Sequence, residues 1–200
     1  TAIKIHWNQS VVINNKTLVF SIALNGYQHL YKRNLVTQQR YAQRHGYEYV
    51  AVTQPALSLL GLECAWLKIS LLTKALYSGY ATVLYLDADT CVSEATPPVE
   101  SLIKNEKYLY LARGFSGRFN SGVMLVRNHA QIIAGFEHML ATSEQSVAAE
   151  DSVGWGENGH VIAFAKNNSL VQEISREWNN NTDPALDDYI RHYSMGPMRP

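Results

Sequence analysis

The chain has 200 residues with 17 Lys+Arg against 17 Asp+Glu, so its formal charge is zero. That balance argues against nucleic-acid binding by phosphate neutralisation and against a protein held on a membrane by charge. Hydrophobic residues make up 46% and no apolar run is long enough to cross a bilayer, so the expectation is a globular chain without membrane contact. Two cysteines, Cys64 and Cys91, cannot build a disulfide scaffold and read as buried free thiols.

In chain order, Ala2–Trp7 and Val11–Ile13 read as strands before a turn pair, Asn14-Asn15, and Leu18–Leu24 reads as a buried strand closed by Gly26. From Gln28 to His45 the pattern is helical. Leu30, Leu35 and Tyr41 share one face, basic residues fill the other, and Gly46 suits the C-terminal cap. Tyr47–Val52 is the next strand. Helical spacing returns over Leu62–Tyr77, with Trp66, Ile69, Leu72 and Leu76 in phase. Thr82–Leu86 is a short apolar strand, and Tyr108–Ala112 and Val123–Arg127 are further strands, with a helix from Asn128. Strands alternating with helices of this length predict an α/β chain with a mostly parallel central sheet covered on both faces. The tail from Asn179 is polar and turn-rich.

The most informative stretch is Thr82-Val-Leu-Tyr-Leu-Asp-Ala-Asp-Thr-Cys91. A buried strand leads straight into two carboxylates, Asp87 and Asp89. In an open α/β sheet, ligands bind beyond the carboxyl ends of the strands. Extended residues two apart point the same way, so both carboxylates can reach one hard cation such as Mn²⁺ or Mg²⁺. Such an ion clamps a diphosphate and neutralises the charge that develops as it leaves. The plain alternative is a solvated turn with Asp89 as a cap.

Ala65-Trp-Leu-Lys68, Val83-Leu-Tyr-Leu-Asp-Ala-Asp89 and Phe119-Asn-Ser-Gly-Val-Met-Leu125 stand in an order that resembles the nucleotide-sugar-dependent glycosyltransferases of the A fold. Those most resembled are the galactosyl-/mannosyltransferases of the Golgi and the glycogenin-like enzymes. The resemblance spans roughly residues 17–196. It implies one Rossmann-like nucleotide-sugar-binding domain over 1–200, with a donor-binding half at about 17–112 and an acceptor and metal-completing half at about 113–200. It also implies a UDP- or GDP-hexose donor, a saccharide acceptor, retention of configuration and a cytoplasmic setting, or a Golgi one if an anchor was removed. Asp89 would bind the metal directly, and Asp87 would contact the ribose or a metal-bound water. Tyr27 and Arg33 would approach the base and ribose, and Lys68 the phosphates; Lys68 reads equally as an exposed helix lysine.

Gly122 allows close backbone approach to a ligand, and Asn120 and Ser121 offer short groups for sugar hydroxyls; a bulge with a capping Asn is the plain reading. The resemblance places this loop against the donor sugar. It also expects an acidic residue near the anomeric carbon, which Glu150-Asp151 or Glu157-Asn158 could supply, so Asp151 and Glu157 are both candidates. Trp155 between them could be a sugar platform or a core residue. Near the C-terminus, His192 and Gly196 resemble the segment that gives glycogenin-like enzymes a third metal ligand; Met198 and Arg199 stand where lysine and tryptophan are expected. Asn179–Asp188 holds too few apolar residues to order itself and is expected to close as a lid only with metal and diphosphate. A non-catalytic binding module of the same fold is the main alternative. A haloacid-dehalogenase-type phosphatase fits less well, because Cys91 stands where that family wants Thr or Val. Sequons at Asn8, Asn15, Asn167 and Asn180 decide nothing.

Overall fold

The computed structural model describes residues 13–56, 64–154, 156–194 and 198. The expected strands over 2–7 and 11–12, together with Trp155, Gly196 and Arg199, lie outside them.

Six strands form the central sheet: β1 (Asn14–Ile22), β2 (Glu48–Val52), β3 (Tyr80–Leu86), β5 (Leu109–Leu111), β6 (Val123–Arg127) and β7 (Val171–Glu173). Their order is β2-β1-β3-β6-β5-β7. β6 runs antiparallel to both neighbours, and the other five strands share one direction. The expected mostly parallel α/β sheet is what forms. A separate ribbon pairs β4 (Thr90–Val92) antiparallel with β8 (Ile190–His192).

Side-chain alternation along the strands divides the interior. Val83 and Tyr85 of β3 face a core with Ile69, Leu72 and Leu76 of α3 (Cys64–Tyr77), Phe136 of α4 (Ala130–Ala141) and Ile162 of α5 (Asn158–Ala165). Leu84 and Leu86 face the opposite core with Tyr41 and Ala42 of α2 (Lys32–His45), Trp178 and Ile190. The crossovers from β1 and into β3 therefore use opposite faces of the sheet. That reversal opens a crevice at the carboxyl ends of β1 and β3.

Several local expectations are corrected. Asn14 and Asn15 do not turn; they begin β1, with a register irregularity before Thr17. β1 ends at Ile22, and Gly26, with φ of 93°, instead precedes a separate short helix, α1 (Tyr27–Leu30). Tyr31 leaves helical geometry between α1 and α2, so Leu30 falls out of phase with the buried face and is 69% exposed. Gly46 does cap α2 in the left-handed conformation. Cys64 and Cys91 form no disulfide, and both are half-buried rather than buried.

The tail has a fastening that its polar composition does not suggest: Asn179, Asn180 and Asn181 are fully buried. Their side chains supply the fastening that apolar groups do not. Asn180 bonds the Asp183 carbonyl and Asp188, and Asn181 accepts from the Phe115 amide and donates to Ser194. Burial also closes the Asn180 sequon to modification in the folded chain. No helix among the described residues is long and apolar enough to cross a membrane.

Candidate active site

A cleft of about 630 Å³ opens at the crevice. It is lined by Ile22 at the end of β1, Tyr85 and Asp87 at the end of β3, Lys68 of α3, the loop Asn120, Ser121 and Gly122, Glu157 and Asn158, together with Asp89 and His192. Tyr27 and Phe115 stand exposed at its rim.

Asp87, Asp89 and His192 come together although His192 lies over 100 residues from the pair. The β4–β8 ribbon brings this about: it pairs Thr90 with His192 directly after the acidic turn. His192 Nε2 lies 3.3 Å from Asp89 Oδ1 and 3.6 Å from Asp87 Oδ2. One ligand atom from each residue falls within 4.8 Å of the others.

The orientation of the imidazole is set from behind. Asn179 donates through Nδ2 to the Asn120 side-chain oxygen at 2.9 Å, which turns its own Oδ1 toward His192. At 2.8 Å that oxygen accepts a hydrogen bond from Nδ1–H. Nε2 is then the free nitrogen, and it faces two carboxylates. A bare lone pair there is repelled unless a proton or a cation lies between. Accordingly the imidazole pKa is raised: burial pushes it down, but Asp89 and then Asp87 outweigh burial. Two carboxylates and one imidazole nitrogen are a donor set that suits Mn²⁺, and Mg²⁺ less closely.

Asp87 is held in other ways too. Tyr85 donates to its Oδ1 at 2.5 Å and Lys68 at 3.2 Å. Burial pushes its carboxyl up, but Lys68 and His192 prevail and hold it below the usual carboxylate range. Lys68 is not an exposed helix lysine. It is 5% exposed and bridges Asp87 to Glu157, whose Oε1 lies 2.8 Å away. Its own pKa is raised, because those two carboxylates outweigh its burial.

The Asn-Ser-Gly loop is built into this cluster. Ser121 Oγ donates to Glu157 at 2.6 Å, and its amide donates to Asn158 Oδ1 at 2.8 Å. Asn120 Oδ1 accepts from the Gly122 amide at 2.9 Å. Gly122 must be glycine, since a Cβ there would lie 2.1 Å from His192 Cε1.

Two expected site residues are not brought here. Asp151 is buried outside the cleft and pairs with Lys166 at 2.6 Å, so of the two acidic candidates only Glu157 reaches the site. Arg33 is exposed on α2 and does not line the cleft. Conversely, the structure adds Asn179, Tyr85 and Gln38. Gln38 is fully buried and donates to the Asp87 carbonyl at 3.0 Å and to Thr90, pinning the acidic turn from beneath. A glutamine in phase with Leu35 and Tyr41 was the available signal; Asn179, in a polar run, offered none.

No family model and no curated protein matches the sequence. Solved structures do share its fold. A glycosyltransferase involved in glycosylation of the major capsid of PBCV-1 superposes at a TM-score of 0.69 with 15% identity, over 90% of this chain and 94% of that one. The galactosyltransferase LgtC, crystallised with donor and acceptor sugar analogs, gives 0.53 and 14%, over 90% and 87%. The apo-form glycosyltransferase GlyE of Streptococcus pneumoniae TIGR4 gives 0.55 and 14%, and this chain spans 54% of its length. The chain has the glycosyltransferase A fold, with its acidic pair at the carboxyl end of a central strand.

Proposed function

We propose that this chain is a metal-dependent glycosyltransferase that moves a hexose from a UDP- or GDP-linked donor to a hydroxyl of a saccharide or other acceptor, with retention of configuration. One observation carries the reading: Asp87, Asp89 and His192 converge at the strand-end crevice of a glycosyltransferase A fold. Mn²⁺ or Mg²⁺ held there would neutralise the departing diphosphate.

The chain's own groups supply the rest. Lys68 helps to hold Asp87 ionised and offsets the negative charge of the cluster. Gly122 brings backbone close to the donor sugar, with Asn120 and Ser121 beside it. Glu157 lines the sugar end, but Lys68 and Ser121 already engage its carboxylate. Asn158 spends its Oδ1 on the Ser121 amide. Both therefore orient the donor rather than attack it. Tyr27 offers a ring at the rim for the base, and residues 1–200 act as one domain.

The test is release of nucleoside diphosphate from UDP- and GDP-hexoses mixed with saccharide acceptors, with Mn²⁺ and with excess EDTA. Release is expected only with the metal, and the product anomer read by NMR should match the donor. Equal release in EDTA refutes the metal part. No release, together with no rise in melting temperature from any nucleotide sugar plus Mn²⁺, refutes the whole reading and favours neither a transferase nor a binding module.

A further inference from the structure

The neutral total of the chain conceals an uneven distribution. The first 47 residues hold six of the 17 Lys/Arg and none of the 17 Asp/Glu. Among the described residues, most of these cations lie on α2. Lys32, Arg33 and Arg40 are exposed and share the face opposite Gln38, Tyr41 and Ala42. Val36 sits among them, 37% exposed. None of these three cations has a described carboxylate within ion-pair distance, whereas Arg44 at the far end of α2 pairs with Glu94 and Lys16 of β1 with Glu48. Glu100, the other nearby carboxylate, is engaged by Tyr47. Next to this face, α1 leaves two apolar side chains in water, Leu30 and Tyr27.

An ordinary solvated helix face interleaves both signs of charge, which support one another along the helix. This face carries one sign only and has exposed apolar groups beside it. Phosphates of a nucleic acid would satisfy the cations and leave Leu30 and Val36 in water. A bilayer surface with anionic headgroups satisfies both, taking the cations at the headgroups and the apolar side chains at the acyl boundary. We propose that the α1–α2 surface docks on an anionic lipid bilayer. Docked in this way, the rim of the cleft marked by Tyr27 lies against the headgroup layer. The proposal stands independently of the transfer reaction.

The experiment is co-sedimentation of the chain with vesicles of phosphatidylcholine alone and of phosphatidylcholine mixed with phosphatidylglycerol, at low and high salt. Sedimentation is expected only with phosphatidylglycerol and should fade with salt. Each cation near such a surface contributes about fivefold to partitioning, so the double substitution Lys32→Ala, Arg40→Ala should weaken it about 25-fold at low salt. Leu30→Ser should also weaken it, which a purely electrostatic contact does not do. All three side chains point away from the cleft and core, so melting temperatures should stay at the wild-type value. Absence of sedimentation overturns the proposal, as does equal sedimentation with phosphatidylcholine alone or wild-type behaviour of the double variant. An unchanged Leu30→Ser overturns it too, and reassigns the face to a polyanion.

Discussion

Replacing Gly122 by alanine tests whether the sugar-side loop and the metal-side histidine form one packed unit. The added Cβ would lie 2.1 Å from His192 Cε1, 2.8 Å from His192 Nδ1 and 2.8 Å from Asp87 Oδ2. Ordinary contact begins at 3.4 Å. The ring has no room to retreat that far. It is 2% exposed, its Nδ1 is bonded to Asn179, and its backbone is paired to Thr90. Gly122 does not sit at positive φ, so the perturbation is steric alone. Overpacking of this kind costs about 1–3 kcal/mol, which for a chain of this size lowers the melting temperature by roughly 2–12 °C. Displacing a metal-ligating imidazole by more than 1 Å should lower Mn²⁺ affinity by at least the ~10–100-fold seen when supporting groups are lost. The assay is a Mn²⁺ titration followed by the electron paramagnetic resonance of the free ion, beside thermal unfolding of the metal-free chain. A double-variant cycle sharpens it. If the clash is with the ring, adding Gly122→Ala to His192→Ala should cost little further affinity, because the obstructed group is gone. Wild-type Mn²⁺ affinity in Gly122→Ala, or fully additive losses in the cycle, would refute the reasoning.

Three further outcomes are expected. Asp89→Asn keeps shape but removes a ligand charge, so diphosphate release should fall at least ~10²-fold while the metal-free melting temperature holds; wild-type turnover would displace the site. Lys68→Met leaves Asp87 and Glu157 without their shared cation; breaking a buried pair costs about 3–5 kcal/mol, toward the lower end here because the Asp87 side chain is 29% exposed. Adding Glu157→Gln should recover part of that loss in urea unfolding, and no recovery would mean that the triad is not electrostatically coupled. Asn179→Leu removes the acceptor that selects the Nδ1–H imidazole, so the nitrogen-15 shifts of His192 in the metal-free chain should move and Mn²⁺ affinity should drop about 10–100-fold. Unchanged shifts would show that the tautomer is set elsewhere.

Local chemistry was enough for the scaffold and half of the site. The apolar run Thr82–Leu86 is buried on both faces, so it could only be a central strand, and a carboxylate pair at its end had to lie at the ligand edge of the sheet. The in-phase residues of α3 fixed which face it buries. His192 could be suspected only through a resemblance, because nothing local links a C-terminal histidine to a pair over 100 residues earlier. The β4–β8 ribbon makes that link, and pairing between distant strands leaves no trace in a window of sequence. Asp151 shows the same limit from the other side. It and Glu157 look alike as acidic residues beside a helix start, and what separates them is which cation each meets: Lys166 outside the cleft for Asp151, Lys68 within it for Glu157. The buried asparagine run shows it once more. Polar composition predicted a loose tail, but hydrogen bonds depend on where partners stand in space. Asn179, Asn180 and Asn181 are held by groups from the Asn-Ser-Gly loop, from Phe115 and from their own turn, positions that only the folded chain supplies.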